Sequence, residues 1–247
     1  MPSTAAVDPG SVRGRPLRVM VAGDSVGWSV GVVGQSQPLS VDVQVDNRAL
    51  LLCSVLPPDA RWIAGDQAPA KYSDLCVNQV EAEELGLQGK PDVAVLWSGA
   101  WEIYDQEYQG VTYRVGTPAD VEFVEAQLQD RIDTYRAAGV PTVLPLVACF
   151  GAPDAASGYL GTERTDLDRL RWVDDRMRAV AARNRGWVRL IDPGHLLCDA
   201  EGKALTERPG GRGGSLRPDG AHFDESAGIW LWDTWLGGQL GAAFAPG

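Results

Sequence analysis

Histidine is almost missing from this sequence: His195 and His222 are the only two among 247 residues. Imidazole is the side chain whose ordinary pKa suits proton transfer near neutral pH, so a general-base histidine must be one of these two. Cysteine is scarce as well. Cys53, Cys76, Cys149 and Cys198 stand too far apart for a zinc site of the C-x-x-C kind, and no metal site is expected. Phosphate-binding and dinucleotide-binding glycine spacings are also missing, because the glycines after Val21 do not fall at the required intervals, so no cofactor is expected. Four cysteines permit three pairings; four reduced thiols, or bridges 53–76 and 149–198, both fit the spacing.

No run of about 18 apolar residues occurs, so no membrane span is expected. Positive charge is in deficit: 22 Lys and Arg against 33 Asp and Glu give a net charge of −11. That balance argues against a nucleic-acid partner, which would need a basic face. Residues 1–14 lack the basic-then-apolar order of a secretory signal. A disordered lead-in is expected over residues 1–16, and a single domain over 17–247. The expected location is cytoplasmic, or the chain is an excised extracytoplasmic domain. No sequence pattern speaks to the oligomeric state.

What is present reads as an α/β protein. Apolar residues make up 45% of a chain long enough for one full domain with a large core. Strand-like runs at residues 18–22, 41–45, 92–97, 140–147 and 187–191 alternate with helical patterns. Those helices are expected from about Ser25, over 75–87, over 117–138, over 166–185 and over 223–240. Such alternation predicts a three-layer α/β/α architecture around a mostly parallel five-stranded sheet. Pro141 and Pro145 predict an irregular or edge-like fourth strand, because proline cannot donate to a ladder. Residues 50–70 read as a long excursion, and the glycine-rich stretch 209–215 as a mobile loop.

In open parallel sheets, sites form beyond the carboxyl ends of the strands. Gly23-Asp24-Ser25 follows the first strand, Gly99 the third, and Asp219-Gly220-Ala221-His222 the fifth. All three should gather on one edge. A serine hydroxyl becomes a nucleophile when an imidazole takes its proton and a carboxylate fixes that imidazole's tautomer. Ser25, His222 and Asp219 are therefore the candidate nucleophile, base and orienting acid.

On these motifs the chain resembles the SGNH/GDSL hydrolases, over about residues 18–240. The resemblance implies the flavodoxin-like fold of that family and an esterase or acyltransferase acting on an ester or thioester of a sugar or small natural product. Ser98-Gly99-Ala100-Trp101-Glu102 and the segment from Leu216 to Phe223 are more narrowly similar to SGNH domains fused to membrane acyltransferases that modify cell-surface glycans. The four cysteines sit where those extracytoplasmic relatives tend to place theirs. The implied partner is a small-molecule or glycan acyl substrate.

The chain also departs from the family pattern. Trp101 occupies the place of the asparagine whose amide helps bind the oxyanion, and Glu102 follows it. The family's second-block glycine falls near Leu52. The oxyanion hole is accordingly expected from the main-chain N–H groups of Ser25, Gly99 and Leu52 or Cys53, with Arg48 as a replacement side-chain donor. Asp24, Arg48, Trp101 and Glu102 are the candidate substrate-binding residues, although Asp24 also suits a purely structural place at the turn. His195 reads as a loop histidine. The tryptophans near the C-terminus have the helical spacing of core residues. Two rival functions are compatible with the missing asparagine: a non-hydrolytic biosynthetic enzyme on the same scaffold, and a carbohydrate-binding module that keeps the site.

Overall fold

A computed structural model of the chain describes residues 14–152, 161–209 and 214–243. Five parallel strands form the main sheet: β1 (Leu17–Gly23), β2 (Val43–Asn47), β5 (Val93–Trp97), β8 (Thr142–Pro145) and β9 (Val188–Ile191), in the order β2-β1-β5-β8-β9. The central strands β1 and β5 are apolar and buried along almost their whole length, as strands covered on both faces must be. The outer strands β2 and β9 alternate between covered and more exposed residues.

Helices cover both faces. The chain runs from β1 to β2 in one direction across the sheet and from β5 through β8 to β9 in the other. Right-handed crossovers therefore place α1 (Ser25–Ser36) on one face, and α3 (Pro118–Ala137) with α4 (Leu167–Arg183) on the opposite face. Their sequences fit this. In α4, Leu170, Val173, Met177 and Val180 recur at helical spacing and are buried. In α3, the Thr117 side chain caps the Asp120 N–H and Pro118 stands in the first turn. The order in which strands are added reverses between β1 and β5, which are themselves parallel, and that switch point is where a crevice forms in such sheets.

Several expectations are corrected. β8 is interior, not an edge: it pairs with both β5 and β9. The N–H groups of Thr142 and Leu146 point to β9, so the two-residue period turns Pro141 and Pro145 toward β5. There they flank the two paired residues, Thr142 and Val143, where no donor is needed. The second strand starts two residues later than expected, at Val43. The helix expected over 75–87 divides into a 3₁₀ turn, Asp74–Asn78, and α2, Gln79–Gln88. The last helix is likewise divided, into α6 (Glu225–Leu231), a π turn (Trp232–Leu236) and α7 (Gly237–Ala243), with α5 (Gly194–Leu197) preceding it in the chain.

The excursion at 50–70 and the segment after residue 101 hold a second, antiparallel sheet of order β4-β3-β6-β7. Its strands are β3 (Arg61–Ile63), β4 (Ala70–Lys71), β6 (Asp105–Tyr108) and β7 (Val111–Tyr113). Gln109 and Gly110, at φ 51° and 78°, make the two-residue hairpin turn between β6 and β7. Of the expected disordered lead-in, residues 14–16 are described, and there Arg15 grips the Asp92 carboxylate with bonds of 2.7 and 2.8 Å. Residues 1–13, and residues 210–213 of the expected mobile loop, lie outside the described residues.

The cysteines pair as Cys53–Cys76 and Cys149–Cys198, which decides between the two readings left open by their spacing. Closing loops of 23 and 49 residues stabilises a fold by roughly 3–4 kcal/mol each in the chain-entropy account. Both bridges brace loops that wall the crevice.

Candidate active site

Gly23 ends β1 at φ 119°, and a side chain there would run into the Trp97 backbone of the adjacent strand. This close approach lets the chain turn sharply into α1. Asp24 caps that helix: its Oδ1 accepts the N–H groups of Val26, at 2.8 Å, and Gly27. Its Oδ2 accepts the Ala100 N–H at 3.0 Å, which ties the loop after β5 to the turn. Asp24 is fully buried and does not reach the cavity, so the expectation that it binds substrate is corrected to an anchoring role. Burial, reinforced by the charge of Glu102, pushes its carboxyl up to about 7.

Ser25 stands at the first position of α1, beside the cavity. Its Oγ lies 2.7 Å from Nε2 of His222, and Nδ1 of His222 lies 2.5 Å from Oδ2 of Asp219. The other Asp219 oxygen accepts the main-chain N–H groups of Ala221 and His222, at 2.9 and 2.8 Å. Burial alone would raise this carboxyl, but the His222 ring and the two amides outweigh it and hold Asp219 well below the usual carboxylate range. It is therefore an anion that accepts from Nδ1–H, which leaves Nε2 as the acceptor facing Ser25. Gly220, at φ 79°, approaches Gly151 so closely that neither position has room for a side chain, and Gly151 N–H donates to Gly220 O at 2.8 Å. That contact seats the Asp219–His222 loop against the loop after β8.

A cavity of about 110 Å³ opens at this serine, bordered also by Leu52, Trp101, Tyr104, Phe150 and Arg164. Trp101 packs against Trp62, Tyr72 and Tyr104, with ring centroids 5.3 to 5.9 Å apart. Its indole N–H is buried and has no acceptor among the described residues. Sequence reasoning missed Tyr104, Phe150 and Arg164. The only local signal was the Gln109-Gly110 turn, which marks the hairpin beside Tyr104.

Three other candidates are not brought to the cavity. Arg48 pairs with Asp46 at 2.9 Å and lies along α2, on the flank of β2, so it is no replacement for the asparagine. Glu102 is buried: its Oε1 accepts the hydroxyls of Ser54, at 2.5 Å, and Ser98, at 3.1 Å, and the Val55 N–H. It ties the Leu52–Ser54 strand of chain to the loop after β5 and does not face substrate. Gly99, at φ 118°, turns its open side toward Val147 and does not border the cavity; its neighbour Ala100 does. Leu52 does border it, and its φ of 59° lies in the left-handed region that favours glycine. His195 lies beyond β9, against Asp192 O and the Trp235 ring, away from Ser25. Trp232 is core, donating its N–H to Val30 O.

No family model and no curated protein matches the sequence. Solved structures do. A Bacteroides fragilis protein described as an acylhydrolase superposes with a TM-score of 0.57 at 14% identity, over 96% of this chain and 94% of that one. A GDSL-like lipase from Bacteroides thetaiotaomicron gives 0.54 at 13% identity, over 92% and 89%. The acetyl xylan esterase AlAXEase gives 0.51 at 17% identity, over 92% and 100%. At such identities the likeness is one of architecture: this chain has the three-layer fold of the SGNH hydrolases.

Proposed function

We propose that this chain is a serine esterase of the SGNH/GDSL type, its single domain spanning residues 17–247, that acts on short acyl esters of a sugar or small natural product. One observation carries the reading: the unbroken hydrogen-bonded chain from Ser25 through His222 to Asp219. The solved structures that share the fold include an acetyl xylan esterase and a GDSL-like lipase, which supports ester chemistry.

In this reading His222 Nε2 takes the Ser25 proton as Oγ attacks the ester carbonyl. Asp219 steadies the imidazolium that results. The main-chain N–H groups of Ser25 and Leu52 hold the oxyanion, with no side-chain amide among the described residues that line the cavity. Collapse of the tetrahedral intermediate breaks the bond to the alcohol, which leaves with the proton from His222. Water, or an acceptor alcohol in the transferase variant of the reaction, then attacks the acyl-enzyme and repeats the proton relay in reverse. A cavity of about 110 Å³ walled by Trp101 and Tyr104 favours a short acyl group. Two disulfides suit an oxidising compartment, in line with the resemblance to glycan-modifying SGNH domains.

A fluorophosphonate probe tests the proposal. The wild-type chain should gain one adduct on Ser25 and hydrolyse short p-nitrophenyl esters, and S25A should do neither. An unlabelled wild-type chain, or a labelled and active S25A, overturns it.

A further inference from the structure

Arg164 is the cation of the cavity wall. The residue is 6% exposed, its Nη2 donates to the main-chain oxygen of Asp219 at 2.7 Å, and its guanidinium lies 5.7 Å above the Phe150 ring. No carboxylate of the described residues pairs with it, and its Nε–H is buried without an acceptor. Arg217 lies close by and is in the same position: among the described residues its guanidinium is bonded only to Cys149 O, at 2.6 Å, Leu197 O, at 2.9 Å, and weakly to the Cys149 sulfur. Burial, together with the charge of Arg164, pushes Arg217 down to about 10. The carboxylate whose charge acts on Arg217, Asp219, is already committed to His222.

Among the described residues, Arg164 and Arg217 are thus two buried cations with no carboxylate in salt-bridge contact, in a chain whose net charge is −11. A buried charge without a partner is costly, and the cost is relieved when a ligand brings the missing counter-charge. Surface steering does not explain the arrangement, because a cation placed for steering would be exposed and not sealed against an aromatic ring.

We propose that Arg164 is the anion-binding residue of this site, and that the substrate is an ester carrying a carboxylate or similar single anion a few bonds from the scissile carbonyl. The short distance follows from the cavity, where Arg164 and Ser25 border the same 110 Å³. The inference rests on the esterase reading and narrows its substrate class. The anion sits on the acyl half or on the alcohol half, and matched esters separate the two.

The experiment compares p-nitrophenyl hemisuccinate with p-nitrophenyl butyrate, and 4-acetoxybenzoate with phenyl acetate. In one pair the wild-type enzyme should favour the anionic ester by about tenfold or more in kcat/KM, the usual worth of a hydrogen bond to a charged group. R164Q should bring that ratio to about one while slowing both esters, because the Asp219 carbonyl loses its donor. R164K should keep part of the preference. No anionic preference in either pair, or a preference that survives in R164Q, overturns the proposal. Thermal unfolding with succinate against succinamide reads the same site without turnover. Stabilisation by succinate in the wild type and R164K but not in R164Q supports the anion site even if no ester is cleaved and the probe does not label; in that case the esterase reading alone falls. Equal stabilisation in R164Q, or none in any variant, overturns the anion site.

Discussion

His222 Nε2 and Ser25 Oγ are 2.7 Å apart, although 197 residues separate them in the chain. Three ties hold the histidine loop in place: Gly151 N–H to Gly220 O, Arg164 to Asp219 O, and Phe223 N–H to the Ser29 hydroxyl. Each tie reaches a different element. The pair is therefore fixed by the packing of the whole sheet edge, and the site is already assembled before any substrate arrives.

Asp219 holds the imidazole tautomer, so D219N should fold normally and lose activity. An amide can donate to Nδ1 and so favour the wrong tautomer, which typically costs roughly 10⁴-fold in kcat. Turnover of a short acyl ester measures it. A loss below tenfold would show that the Asp219–His222 bond does not serve the base.

Leu52 keeps a left-handed backbone at φ 59° while its side chain is 44% exposed. A leucine there is strained by about 1 kcal/mol, and little burial is lost on removing it. L52G should therefore raise the unfolding free energy by up to about 1 kcal/mol in a denaturant titration. A drop of that size would contradict the left-handed assignment.

The Trp101 N–H is buried, with no accessible surface and no acceptor among the described residues. W101F should consequently cost far less than the roughly 100-fold that losing an oxyanion donor costs. A 100-fold fall in kcat at unchanged KM would assign the indole to the oxyanion after all.

Asp24 is raised to about 7 by burial and by Glu102, whereas in the unfolded chain it titrates near 3.9. The folded state then binds the extra proton between these values, so stability falls as pH rises from about 4 through about 7. The slope from one such group is at most about 1.4 kcal/mol per pH unit. Denaturant unfolding across that range should show a shallower decline in E102Q than in the wild type, because the opposing charge is gone. An identical profile would sever the link between the two carboxylates.

The order of strands and helices was legible because a buried parallel strand such as Val93–Trp97 is apolar throughout, and an amphipathic helix such as α4 repeats every three to four residues. The second sheet was not. Its strands are two to four residues long, too short for alternation to stand out, and they are stabilised by the Trp62, Tyr72, Trp101 and Tyr104 cluster, whose members are scattered along the chain. Pro141 and Pro145 misled for a related reason: a missing donor matters only on the side where a neighbour needs it, and pairing is invisible in one strand's sequence.

Composition and local motifs by themselves determined the fold class, the expected edge of the sheet, and the short candidate set of Ser25, Asp219 and His222, because these depend on period, on turn chemistry and on the rarity of histidine. Tertiary structure alone decided which polar residues face the cavity. It turned Arg48 and Glu102 away, buried Asp24 as a cap, paired the cysteines and brought Arg164 to the wall. The physical reason is that a side chain's direction is set by the packing of elements far apart in the chain, which no local pattern records.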